Sequence, residues 1–129
     1  MAKRKRREFS PLQAMVMKVL WERGESTVSE VQQQLKDERT FAHNTVATVL
    51  TRLVDDRVVA VRKIGRANTY RPTVAERAVK STMVMGLVSR MFEGSPSALV
   101  HHLLSEGEID PAELESLARL VGRSKKSDK

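Results

Sequence analysis

The sequence predicts a mainly α-helical protein with one small β-hairpin. Apolar residues recur at a spacing of three or four over most of the 129 residues, as in amphipathic helices. Three of the four prolines follow a Ser or Asp, the arrangement found where helices begin. The period changes near Gly65, where two short strand-like runs flank a turn.

Two capping boxes mark the starts of the first two helices. Residues 10–13 (Ser-Pro-Leu-Gln) place a serine cap before a proline, with a glutamine three residues after the cap. That helix is predicted to end at Gly24. Residues 27–30 (Thr-Val-Ser-Glu) repeat the pattern, so a second helix is expected to run to about Lys36.

The third predicted helix, residues 43–56, has two different faces. One face is apolar and is formed by Val46, Val49, Leu50 and Leu53. The other face is polar and is formed by Asn44, Thr45, Thr48 and Arg52. Amide, hydroxyl and guanidinium groups of this kind recognise base edges in the DNA major groove, although ordinary solvent-exposed helix faces carry them too. His43, at the helix start, is either a phosphate contact or a plain exposed side chain.

The hairpin follows this helix directly. Residues 58–63 and 68–71 are strand-like, and Gly65 lies at the turn between them. Lys63 and Arg66 are placed to meet a sugar-phosphate backbone, whereas a basic hairpin without the preceding helices would be read as a solvated loop. Three short helices followed by such a hairpin predict a winged helix-turn-helix DNA-binding domain over residues 9–73.

Residues 74–122 are predicted to be helical again and to form a dimerisation domain. Their helices amount to about 50 residues, too few to bury so many Leu, Met and Val side chains alone. Pairing with an identical copy would cover them; packing back on the N-terminal domain as a monomer is the alternative. The candidate dimerisation residues are Leu87, Met91, Leu99, Val100, Leu103, Leu104 and Leu117.

Charge is distributed unevenly along the chain. The net charge of +7 favours a polyanionic partner. Residues 39–71 hold seven basic and two acidic residues, a net of +5, whereas residues 93–115 hold six acidic residues and no Lys or Arg. Residues 1–8 and 123–129 are predicted to be basic, disordered arms, which either touch phosphates or only improve solubility.

Several classes of function lack the residues they need. The chain has no cysteine, so disulfides and thiolate metal sites are excluded. His101 and His102 are adjacent and would point apart on a helix, so no metal site is predicted. No phosphate-binding loop or catalytic triad is found, and the sequence predicts neither an enzyme nor a cofactor. Without a signal peptide or an apolar span, a cytoplasmic protein with no membrane partner is expected.

Three motifs together resemble a known family. They are residues 16–21 (VMKVLW), 44–53 (NTVATVLTRL) and 97–100 (SALV). In these motifs the chain is similar to the BlaI/MecI penicillinase-repressor family of bacterial winged-helix regulators. The resemblance implies a homodimeric repressor on a palindromic DNA operator, with interlocking C-terminal helices. By position, Asn44, Thr45, Thr48 and Arg52 would approach bases or adjacent phosphates.

The resemblance also implies a mode of regulation. In well-known members a membrane sensor's signal leads a regulatory protease to cut an Asn-Phe bond in the dimerisation region. The matching bond here is His102-Leu103, in which both residues differ. The copper-responsive branch uses C-terminal cysteines, which this chain lacks.

The leading hypothesis is therefore a sequence-specific, dimeric repressor. A sequence-tolerant architectural DNA-binding protein, held mainly by the basic arms, is the alternative. A winged helix that binds another protein is a third possibility, and it predicts no DNA affinity at low salt.

Overall fold

A computed structural model describes residues 9–127, and the side chains of residues 9–123. The predicted arms at residues 1–8 and 128–129 lie outside the described residues. In chain order the helices are α1 (Pro11–Arg23), α2 (Val28–Leu35), α3 (His43–Asp55), α4 (Glu76–Met91), α5 (Pro96–Ser105) and α6 (Pro111–Ser127). The strands are β1 (Val59–Ile64) and β2 (Ala67–Pro72), between α3 and α4. The mainly helical fold with one hairpin is confirmed.

The capping boxes form as predicted. The Gln13 backbone N–H donates to Ser10 Oγ at 3.2 Å, and the Ser10 backbone N–H donates to the Gln13 side-chain oxygen Oε1 at 3.0 Å. Thr27 and Glu30 make the same reciprocal pair at 3.1 and 2.9 Å. Each box satisfies two backbone donors that a helix start otherwise leaves without a partner, and so fixes where α1 and α2 begin.

The core of the N-terminal part lies where the first three helices meet the hairpin. α3 supplies Val46, Leu50 and Leu53, all fully buried. The buried residues packed with them include Val16, Met17, Leu20, Val31, Leu35, Val58, Val59 and Tyr70. Each fully buried aliphatic side chain of this size contributes about 1.5–3 kcal/mol, so the apolar stripe of α3 determines which face points outward.

The strands pair in an antiparallel hairpin with a short turn. Ile64 pairs with Ala67, which leaves Gly65 and Arg66 as a two-residue loop. Gly65 has a φ of 64°, a value that L side chains rarely adopt and that tight hairpin turns require. We call residues 59–72 the wing.

One strand contact was not predicted. Ser26, between α1 and α2, forms an isolated antiparallel bridge with Tyr70 of β2. The Ser26 amide donates to the Tyr70 carbonyl at 3.0 Å, and the Tyr70 amide donates to the Ser26 carbonyl at 2.8 Å. The wing is therefore hydrogen-bonded to the α1–α2 loop along its second strand.

The contacts between residues divide the chain into two compact units, and the boundary lies inside α4, between Val84 and Met85. In the C-terminal unit, Ser95 and Asp110 cap α5 and α6 as the sequence predicted. α6 continues to Ser127, so residues 123–127, expected in a disordered arm, are helical. Within residues 9–127, no helix combines the length and apolar character needed to cross a membrane.

Candidate nucleic-acid interface

The polar face of α3 is exposed along its whole length. Asn44, Thr45, Thr48 and Arg52 are all exposed, and so is His43 at the helix start. The opposite face holds the buried Val46, Leu50 and Leu53, with Val49 half-buried beside them. Burial of that apolar stripe therefore leaves the five polar side chains accessible to a macromolecular partner.

The start of α3 differs from those of α1 and α2. Its N-cap is Ala42, and among the described residues no side chain caps it and no acidic residue occupies its first turn. The first amide groups of a helix have no intrahelical partner and lie at the positive end of its dipole. The end of α3 that carries His43 and Asn44 is thus suited to an anion.

The turn before α3 is held in place by two contacts. The Gln32 side-chain amide donates to the Phe41 carbonyl at 2.9 Å. The Arg39 guanidinium lies 5.4 Å from the centre of the Phe41 ring, a cation–π contact. These contacts connect α2 to the residues that lead into α3, and so set where the polar face begins.

Lys63 and Arg66 are both exposed at the tip of the wing. Arg66 is in the two-residue turn, and Lys63 pairs with Asn68 next to that turn. The exposed Ile64 lies between them and is half accessible. The wing tip therefore carries two exposed cations, one in the turn and one beside it, an arrangement suited to a sugar-phosphate backbone.

A third wing cation, Arg62, has an acidic partner. Its Nε and Nη2 atoms donate to the two carboxylate oxygens of Glu25 at 2.7 and 2.9 Å. The Thr69 hydroxyl donates to Glu25 Oε2 at 2.6 Å. The Arg62 and Thr69 hydrogen bonds lower the pKa of Glu25 from 4.5 to about 2.

This pair changes the charge available to a polyanion. Residues 39–71 carry a net of +5, but Glu25 neutralises Arg62 from outside that segment. Glu25 was not predicted as part of this surface, because it lies 37 residues from Arg62 and 44 residues from Thr69 in the sequence. The periodicity of helices and strands gives no information about contacts between residues so far apart in the sequence.

The candidate dimerisation residues remain accessible in the single chain. Leu87 and Met91 are exposed on α4, and Leu117 is exposed on α6. The α5 residues Leu99, Val100, Leu103 and Leu104 are half-buried. Of the side chains described in residues 85–123, only Val88 is fully buried. Leu120 and Val121, 59% and 56% exposed, extend the apolar surface of α6.

The bond matched to the family's cleavage site lies inside α5. His102 is exposed and its ring packs against Phe92, with ring centres 5.6 Å apart. Leu103 is half-buried, and its carbonyl accepts the Glu108 amide at 2.9 Å where the helix ends. Among the described residues, no three His, Asp or Glu side chains are grouped so that they could hold a metal ion.

Comparison with known proteins decides the family. A family model described as "Penicillinase repressor" matches residues 9–123, which is almost all of the described chain. The chain belongs to the penicillinase repressor family. The resemblance seen in the three sequence motifs is confirmed, and the family is one of DNA-binding transcriptional repressors.

Two curated relatives show how far the similarity extends. The penicillinase repressor of Bacillus licheniformis is 24% identical over 122 residues, covering 95% of each chain. The methicillin resistance regulatory protein MecI of Mammaliicoccus sciuri is 19% identical over 116 residues, covering 90% of this chain and 94% of its own. This penicillinase repressor family member therefore matches both relatives over nearly their full lengths.

Solved structures agree with the fold. The DNA-binding domain of the repressor BlaI is 30% identical, with a TM-score of 0.50, and the match covers 56% of this chain and 88% of that domain. A MarR family protein from Bacillus stearothermophilus, 16% identical, has a TM-score of 0.51 over 92% of this chain and 74% of its own. The winged-helix prediction is thereby confirmed for this family member.

Proposed function

We propose that this repressor acts as a homodimer on a palindromic operator, with α3 in the major groove and the wing against the sugar-phosphate backbone. The observation that carries the proposal is the division of α3 into an apolar face that is buried, apart from the half-buried Val49, and a polar face that is exposed. An α-helix fits the major groove, where each base pair displays a distinct set of donors and acceptors.

Each polar residue of α3 has a role that its chemistry suits. We assign to Arg52 two donated hydrogen bonds to a guanine, and to Asn44 a pair of hydrogen bonds with an adenine. Thr45 and Thr48 offer methyl groups to thymine and hydroxyls to either base or phosphate. His43, at the uncapped helix start, lies where a phosphate would be stabilised by the helix dipole.

The wing supplies contacts that do not depend on sequence. Lys63 and Arg66 are exposed at its tip, and each contact between such a cation and a phosphate releases condensed counterions. Contacts of this kind set register and affinity, whereas contacts to base edges set specificity. We assign DNA binding to residues 9–73 and self-association to residues 74–122, with the basic arms adding phosphate contacts.

The accessible apolar surface of the C-terminal helices supports the proposed dimerisation. A single copy leaves Met91 and Leu120 more than half exposed, and a twofold partner would cover them. Two symmetric copies of α3 would then read half-sites about 34–36 Å apart, or multiples of this spacing. A twofold dimer of this kind is suited to a palindromic operator. We further propose that the protein acts in the cytoplasm, where a bacterial chromosome is accessible to it.

The division of labour between α3 and the wing is testable with two arginine variants. The operator is first selected from a pool of random duplexes, and affinities are then measured by fluorescence anisotropy. Arg52→Ala should cost about 1–3 kcal/mol on the selected duplex and relax preference at one position. Arg66→Ala should weaken selected and random duplexes equally, and it should reduce the salt slope by about one.

Two results would contradict this assignment. If both variants lose the same affinity on both duplexes, α3 does not read sequence. If random competitor displaces the protein as well as the selected duplex does, the architectural alternative is correct and the repressor mechanism is not.

Relief of repression by a regulatory protease is proposed from the family resemblance. The His102-Leu103 bond lies in the last turn of α5, so cutting it requires that end of the helix to open locally. N-terminal sequencing of the fragment that accumulates on induction would test it, because a cut at any other bond excludes this site.

A further inference from the structure

We propose that Glu25 is a positioning residue for DNA binding, which holds the wing in place through Arg62 and Thr69. Arg62 then serves to fix the wing and not to contact a phosphate. The inference builds on the DNA-binding role proposed above. It adds a residue from the α1–α2 loop, outside both α3 and the wing, to the residues that determine affinity.

The carboxylate of Glu25 contacts both strands of the wing. Each of its oxygens accepts a hydrogen bond from Arg62 of β1, and Oε2 also accepts one from Thr69 of β2. Arg62 and Thr69 pair directly across the two strands, so their side chains lie on the same face of the hairpin. A planar guanidinium bound through two atoms has little rotational freedom, and the contact therefore sets orientation as well as distance.

The loop that carries Glu25 is itself held rigidly. Ser26 makes two backbone hydrogen bonds to Tyr70, and its hydroxyl donates to the Gly24 carbonyl at 2.8 Å. Arg23, at the end of α1, donates from Nε to the same hydroxyl at 3.2 Å. These contacts connect α1 through the loop to the wing. They hold the backbone next to Glu25, which then contacts the wing through its carboxylate.

The charge of Glu25 makes the proposal easy to distinguish from simple electrostatics. Removing a negative charge near bound DNA should raise affinity, because phosphates are then repelled less. Removing the contact between Glu25 and the wing, which we call the clamp, should lower affinity. Lys63 and Arg66 would then be more mobile in the free protein, and the entropy lost when they become ordered on DNA would oppose binding. The two explanations predict opposite signs for one substitution.

The experiment compares Glu25→Ala with Glu38→Ala, in the full-length protein, on the selected duplex at fixed salt. Glu38 is an exposed acid just after α2, and its substitution removes the same charge without touching the wing. Glu25→Ala should weaken binding about tenfold, whereas Glu38→Ala should leave it unchanged or strengthen it up to about twofold. If Glu25→Ala does not fold, Glu25→Gln carries the test with the same sign and a smaller loss.

Tighter binding by the Glu25 variant, or a salt slope steeper by about one, would overturn the proposal, since either means that Arg62 has been freed for a phosphate. A second readout uses the protein without DNA. The backbone order parameters of Gly65 and Arg66, near 0.85 in a rigid wing, should fall below about 0.6 in Glu25→Ala and stay unchanged in Glu38→Ala. Unchanged wing order together with lost affinity would also exclude the clamp.

The same measurements separate this inference from the proposed function. If the wild-type protein binds no duplex, the DNA-binding proposal fails, but the order parameters of the free protein still test the clamp. If the wild type binds and only the Glu25 result has the wrong sign, the clamp fails alone.

Discussion

Arg57 has a backbone conformation that ends α3. It follows α3 with a φ of 66°, in the left-handed region that favours glycine. The Val58 amide donates to the Leu53 carbonyl at 3.1 Å, and the Arg57 amide donates to the Val54 carbonyl at 2.9 Å. This is the Schellman pattern of helix termination, with buried Leu53 and Val58 as its apolar contact. These two hydrogen bonds and the buried apolar contact offset the strain at Arg57, and the turn directs the chain into β1.

The positive φ of Arg57 predicts that glycine is more favourable than alanine at this position. Arg57→Gly should raise the free energy of unfolding relative to Arg57→Ala by about 1 kcal/mol, because glycine adopts a positive φ without steric cost. Both variants lose the same charge, so their difference isolates the backbone effect. Urea denaturation measures it, and equal midpoints for the two variants would refute the explanation.

Glu25 predicts how stability depends on pH. Its pKa is about 2 in the folded protein, against 4.5 for the same carboxyl without its partners, as in an unfolded chain. A lowered pKa means that the folded state binds the proton less readily, so this contribution is fully present above about pH 5 and disappears as pH falls through 2. The stability difference between wild type and Glu25→Gln should therefore shrink between pH 5 and pH 2.

Thermal unfolding of both proteins across that range tests the pH prediction. Glu38→Gln serves as a matched control, since its comparison with wild type isolates the same chemical change away from the wing. A wild-type advantage over Glu25→Gln that stays constant down to pH 2 would show that the carboxylate is not stabilised by its partners.

At the scale of elements, helix starts were predictable because capping is local. Ser10, Thr27 and Asp110 each lie three residues from the group they bond, so a short window of sequence contains the whole interaction. The faces of α3 were predictable for a similar reason, since the burial of Val46 and Leu50 follows from their helical spacing. The bridge between Ser26 and Tyr70 was not, because strand pairing joins distant residues.

The α2 cap gives a prediction for one element. Thr27→Ala should destabilise the protein by about 1 kcal/mol, because the Glu30 amide loses its acceptor at the helix start. Ser29→Ala, inside the same helix, removes a hydroxyl outside the capping box and should be neutral or slightly stabilising. Chemical denaturation of both variants tests this, and equal losses would show that the cap does not determine the stability of α2.

At the scale of the whole molecule, self-association is proposed to bury the apolar surface of the C-terminal helices. Leu120→Asp places a charge on that surface at a position 59% exposed in the single chain. The dimer dissociation constant should rise at least tenfold, because burying an unpaired carboxylate is costly and apolar contact is lost. Sedimentation equilibrium measures the change.

Gly122→Asp is the matched control for the dimer prediction. It adds the same charge to α6 at an exposed position where a side chain meets no neighbouring atom, and helical spacing places that position on a different side from Leu117 and Leu120. It should leave the dissociation constant within about twofold, since exposed substitutions of this kind have small effects. If both aspartates dissociate the dimer equally, the apolar stripe of α6 is not the interface.

The whole architecture was less predictable than its parts. The order of helices and strands followed from periodicity, but the boundary between the two compact units was not visible in the sequence. It lies between Val84 and Met85, within a continuous α4, and the neighbouring Gly86 does not interrupt the helix. The charge of the wing was likewise overestimated from composition, because Arg62 is neutralised by a residue on another element.

The only tryptophan in the sequence lies at an informative place. The Trp21 indole donates from Nε1 to the Val74 carbonyl at 3.0 Å, which fastens the segment after the wing to α1. Indole fluorescence is sensitive to such a bond and to local polarity. The protein therefore contains an intrinsic fluorescence probe, and a spectral shift on adding duplex DNA would report, without any label, a change at the contact between α1 and the segment that leads into α4.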